Sequence, residues 1–179
     1  MFALKIFSIL LKAVESVLLV IGMGFVAYFT KELHDEYTDE NDDNDIYDTG
    51  GLGRYEFFLY TTGVGIGIAV LGFVGAITGL LEKKHGALAM FAVQAIWAFQ
   101  LLVSTALLAK VLTTYQTEKI ISSVTFCKAW DKTENRKYHY KCSQLTAGVV
   151  GGFGAMAAFG LDAIISLVSH IKSSQYSSL

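Results

Sequence analysis

Between Glu56 and Glu82 run 25 residues without a formal charge, and between Lys84 and Lys110 run 25 more. Crossing about 30 Å of hydrocarbon as a helix takes roughly 20 apolar residues, so each stretch is long enough. Two further apolar blocks, one near the start of the chain and one near its end, raise the number of predicted spans to four: 7–29, 57–81, 87–112 and 142–169. The first block is expected to be retained rather than cleaved: with Ala27 at the candidate cleavage point, Phe25 falls three places before the cut, where a small residue is needed, and the block is longer than a usual signal core. The segments between the spans are too short to bury a core unaided, which excludes a large water-soluble catalytic domain. The expectation is an all-α membrane protein: residues 1–179 form one antiparallel four-transmembrane-helix bundle with two outer loops, 30–56 and 113–141.

An even number of spans puts both termini on one side with the short Glu82 to Gly86 connection. Lys5, Lys12, Lys83, Lys84 and Lys172 crowd into those short flanks, whereas eight basic residues are spread over the much longer loop side. Basic density of this kind marks the cytosolic face. Cys127 and Cys142, the only two cysteines, fall in or beside the second loop. They either pair or both stay free, and in an oxidising compartment the pair is expected. The predicted location is the plasma membrane, with cytosolic termini. Tyr28, Tyr55, Tyr60, Tyr115 and Tyr140 near the outer helix ends suit an interfacial belt.

Lipid supplies no hydrophobic drive for helix association, so small residues that let backbones approach are informative. Gly63/Gly67 and Gly75/Gly79 in the second span, and Gly148/Gly152, Gly151/Ala155 and Gly154/Ala158 with Gly160 in the fourth, are candidate packing positions. Their expected use is packing within one bundle, with lateral self-association as the second reading. The chain has no proline, which lowers the case for the broken helices of transporters.

Charges inside spans call for a functional hypothesis. Lys12, Glu15, Gln94 and Asp162 fall at similar depth and form a candidate polar layer. Lys12 and Glu15, three apart on one helix, share a face, and Asp162 is placed to meet Lys12 across helices. An interhelical clamp is the expected role; a proton or cation path is the sharper alternative.

The loops differ in sign. Loop one has ten acidic residues against two basic ones, with Asp39, Asp42, Asp43 and Asp45 in a run that lacks apolar content, and loop two has six basic against three acidic, including Lys132, Arg136 and Lys137. Complementary potentials steer association, so these seven residues are candidate contact positions, within one molecule or between two. Asp39, Asn41 and Asp43 imitate the start of a calcium loop, but Asn44 stands where the turn needs glycine and Gly50 where a glutamate belongs. His34, His85, His139 and His170 lack metal-ligand spacing. No catalytic group, cofactor or metal is predicted, nor any nucleic acid or small-molecule substrate. The expected partners are membrane lipids, other membrane proteins and further copies of the chain.

Gly72-Phe-Val-Gly75 through Gly79, then Glu82-Lys-Lys and the third span, resembles the second and third spans of tetraspanins. Phe7-Ser-Ile-Leu-Leu-Lys12-Ala, Glu82-Lys-Lys-His85 followed by Ala87-Leu, Trp97, and Ala147-Gly-Val-Val-Gly151 leading to Leu161-Asp162 and His170 together carry a broader resemblance. It is to small MARVEL-like four-span proteins of the insect septate-junction type. That resemblance implies a structural role at intercellular junctions or in membrane organisation. The alternative is a small channel or transporter subunit using Glu15 and Asp162.

Overall fold

The computed structural model describes residues 2–40, 52–79, 84–121, 124–132 and 141–176. Four long helices dominate it: α1 (Phe2–Glu40), α2 (Gly53–Ile77), α3 (Lys84–Thr117) and α5 (Cys142–Tyr176). Each contains a stretch long and apolar enough to span a membrane: Ile6–Glu36, Gly53–Ile77, Gly86–Thr117 and Cys142–Ile171. Between α3 and α5 lie a small antiparallel hairpin, β1 (Lys119–Ile121) with β2 (Val124–Thr125), and a short helix α4 (Phe126–Lys132). The protein is therefore nearly all-helical, and the hairpin is the one departure from all-α among the described residues.

The helices do not stop where the hydrocarbon is expected to end. Helix α1 continues from Phe29 to Glu40, so the first eleven residues assigned to loop one are helical. Nothing there breaks a helix: Thr30 returns its hydroxyl to the Val26 carbonyl at 2.8 Å, and Lys, Glu and Leu are good helix formers. Helix α2 ends earlier than expected, at Ile77. Gly79 adopts φ 71° just beyond it, the left-handed conformation in which glycine terminates helices. Gly79 is thus a helix stop, not a packing residue.

Helix α5 lies between α1 and α3 and has its most extensive contacts with them, while α2 closes the ring against α1 and more sparsely against α3. The interior has three storeys. At the disulfide end, Phe29, Leu33, Tyr55, Phe58, Leu108, Val111, Trp130 and Leu145 form one buried cluster. In the middle, Leu19, Ala69, Leu101, Ala155 and Phe159 form a second. The third is polar. Outside, large apolar side chains such as Leu71, Ile96, Phe99 and Val150 are exposed, as a lipid-facing surface requires.

Tyr55 does not belong to the interfacial belt: it is 2% exposed, and its hydroxyl donates to that of Tyr115 at 2.9 Å. Tyr28 and Tyr60 are exposed, and Tyr140 lies outside the described residues.

Candidate functional site: a buried polar layer and a disulfide-tied lid

Lys12 lies six residues inside Ile6, Gln94 eight inside Gly86 and Asp162 nine inside Ile171. At about 1.5 Å of rise per residue, all three sit roughly 9 to 14 Å inside that end of the spans. Lys12 is 1% exposed, and Glu15, Gln94 and Asp162 are 0% exposed.

Asp162 is the hub. The Lys12 ammonium and the Gln94 amide both donate to its Oδ2, and the Ser8 hydroxyl donates to Oδ1 at 2.8 Å. Ser166 in turn donates to Gln94 Oε1 at 3.3 Å, which fixes the amide with its NH2 towards the carboxylate. Helices α1, α3 and α5 are joined through one carboxyl group. Such a pair is well made by the standard that a buried ion pair needs its remaining lone pairs satisfied.

The pairing of Lys12 with Glu15 on their shared face does not form. Lys12 reaches across to α5, and neither Glu15 oxygen has a hydrogen-bond partner among the described residues. The interhelical partner wins because Asp162 already holds two neutral donors that complete its shell, whereas Glu15 has none. Ser8 and Ser166 were missed by the sequence reasoning although the signal was present: Ser8 is one helical turn before Lys12 and Ser166 one turn after Asp162.

The candidate packing glycines divide. A Cβ on Gly148 would run into Val26, and one on Gly152 into Thr105, so both face neighbouring helices. A Cβ on Gly63 would meet only the end of Met23 at 3.8 Å, and one on Gly67 or Gly160 would meet nothing within 4 Å. Gly67 and Gly160 are therefore not packing residues within this chain, because their helices turn those faces outward. Gly75 is half-buried. The closest backbone approach falls on Gly151, one of the candidates, and Gly22, which was not one: a Cβ on Gly151 would stand 3.1 Å from the Leu18 carbonyl oxygen and 3.3 Å from Gly22 Cα. Gly65 makes room for Trp97, whose indole N–H donates to the Thr61 carbonyl at 3.1 Å and ties α3 to α2.

At the opposite end, Cys127 and Cys142 form a disulfide, with Cα atoms 5.4 Å apart and 15 residues of separation. It tethers α4 to the start of α5. Trp130 of α4 packs edge-on against Tyr115 at 5.0 Å and Phe29 at 6.0 Å, and lies 5.6 Å from Phe126. Edge-to-face pairs add about 0.5–1.5 kcal/mol beyond the area they bury. Helix α4 is thus a lid on that end of the bundle. Closing a loop of this length stabilises by about 3 kcal/mol in the chain-entropy model. Reduction, or Cys142→Ser, is expected to lower the melting temperature and to red-shift Trp130 fluorescence in a variant with Trp97 replaced by Phe. Unchanged emission on reduction would show that aromatic packing alone holds the lid.

Lys128 and Asp131 on α4 are exposed. Asp42, Asp43, Asp45, Arg136 and Lys137 lie outside the described residues, as do the side chains of Asp39 and Lys132 at the ends of α1 and α4.

A family model described as MARVEL, membrane-associating domain, matches residues 5–165, which takes in the polar layer, the lid and all but the last turns of α5. No curated protein and no solved structure matches the chain.

Proposed function

This chain belongs to the MARVEL family of membrane-associating domains, and on that premise we propose that it is a non-catalytic organiser of cell-cell junctions or membrane domains. It sits in the plasma membrane with its termini in the cytosol, associates laterally with other membrane proteins and further copies of itself, and presents charged loops outside the cell. The septate-junction type is the particular junction the sequence resemblance favours. The observation that supports this reading is the lid. Helix α4 is held on the bundle by the disulfide and by Trp130, so Lys128, exposed on it, stands on a fixed platform. Lys31, Arg54, Lys110 and Lys141, one from or beside each spanning helix, are exposed at that end as well.

The test is a charge reversal, with Lys128, Lys132, Arg136 and Lys137 changed to Glu in confluent epithelial cells. Enrichment at cell contacts is expected to fall several-fold while the amount at the surface stays constant. Full enrichment with the charges reversed removes the loop from the mechanism.

One observation supports a second reading, a small channel or transporter subunit: Glu15 is buried with no partner for its carboxyl group among the described residues. A current in reconstituted bilayers that disappears in Asp162→Asn would favour it over the structural role.

A further inference from the structure

Three donors converge on Asp162, and none reaches Glu15, although both carboxyl groups are fully buried in the same layer. The distribution is uneven in a way that the ammonium alone can correct. Lys12 carries three N–H donors and uses one of them, on Asp162. Glu15 is three residues further along the same helix, which places the two Cβ atoms about 5–6 Å apart, well within reach of the flexible lysine stem. The stem lies over Gly72 of α2, where a Cβ would run into Met90 and would stand 2.7 Å from Nζ and 2.9 Å from Cε of Lys12, so glycine at this position makes room for the lysine.

We infer that Glu15 is the second seat of the Lys12 ammonium, so that the clasp between α1 and α5 opens and closes without leaving a lone buried cation. In the closed arrangement Lys12 sits on Asp162. In the open one it sits on Glu15, and Asp162 still keeps a donor on each oxygen, Gln94 on Oδ2 and Ser8 on Oδ1. The charge tie between α1 and α5 is then gone, and only neutral hydrogen bonds hold that end of the two helices. An orphaned carboxyl in a buried layer is a cost with no return in a static clamp, but it is what a two-position clasp needs. The groups that face the ammonium are Glu15 from its own helix, Asp162 from α5, Gln94 from α3 and the Gly72 backbone from α2.

A double-mutant cycle on the full chain in lipid nanodiscs tests this. Glu15→Gln alone is expected to leave the melting temperature unchanged or raise it, since an unpartnered carboxyl is removed. In the Asp162→Asn background the same change is expected to lower the folded-to-unfolded ratio by roughly tenfold or more beyond the product of the single effects, the range seen for directly coupled residues. Adding Lys12→Met to that double variant removes the stranded cation and is expected to restore folding. Solid-state NMR supplies an independent readout: in Asp162→Asn, the Lys12 Nζ signal is expected to correlate with the Glu15 carboxyl carbon. Additive effects, a triple variant that folds no better than the double, or the absence of that correlation would each overturn the inference.

Discussion

Lys12→Met is expected to be the most damaging single change in the protein. It removes the one ammonium of a layer that buries two carboxyl groups, and Asp162 keeps only Gln94 and Ser8. Removing one partner of a buried ion pair typically costs about 3–5 kcal/mol, because the other charge is left uncompensated. Against a total stability on the order of 5–15 kcal/mol, a loss of that size removes a large share of the margin, and a lower melting temperature and reduced surface delivery are expected. Asp162→Asn should be milder, since the ammonium has Glu15 within reach. Thermal unfolding in detergent and surface delivery, compared between the two variants, check the asymmetry. If Lys12→Met melts with the native protein, the layer contributes nothing to holding the helices together.

Gly151→Leu is the second large effect, and Gly160→Leu is its control. Any Cβ at Gly151 meets backbone, the Leu18 carbonyl and Gly22 Cα, and backbone cannot rotate aside as a side-chain tip can. Helices α1 and α5 must then separate, the middle cluster of Leu19, Ala155 and Phe159 loses its fit, and Asp162 draws away from Lys12. Overpacking usually costs about 1–3 kcal/mol, and here the lost contacts of both storeys add to it. At Gly160 a Cβ meets nothing within 4 Å, so leucine should be accommodated in lipid with no change in melting. Equal damage at both positions would mean that Gly160 faces another copy of the chain, and no damage at either would mean that the α1–α5 crossing is adjustable.

These two pairs of substitutions also mark how far the sequence can be read. Gly151 and Gly160 stand in the same span, nine residues apart, in nearly identical apolar surroundings. Nothing in the local pattern separates the one that packs from the one that faces outward. Gly22 was the harder case, since it has no glycine partner at helical spacing within α1 and is recognised only from the α5 backbone beside it. The polar layer was more legible, because charged and amide groups in an apolar span announce themselves by their expense. Its membership could be read from depth along each helix, and Ser8 and Ser166 one turn away could have been added on the same ground. Which carboxyl the ammonium takes could not, because Glu15 and Asp162 are equally buried and the choice depends on what else donates to each.

The number of spans, the helical class and the presence of a costly polar layer were determined by the sequence alone, since a bilayer admits few ways to satisfy a backbone and demands about 20 apolar residues for each crossing. The tertiary structure decided how each helix is rotated about its axis, and with it the glycines that face a neighbour, the burial of Tyr55, the orphaned Glu15 and the docking of α4 as a lid. The physical reason is that these helices are apolar nearly all round. Lipid and protein interior are alike to an apolar side chain, so composition sets no preferred face, and only the fit of one surface against another does.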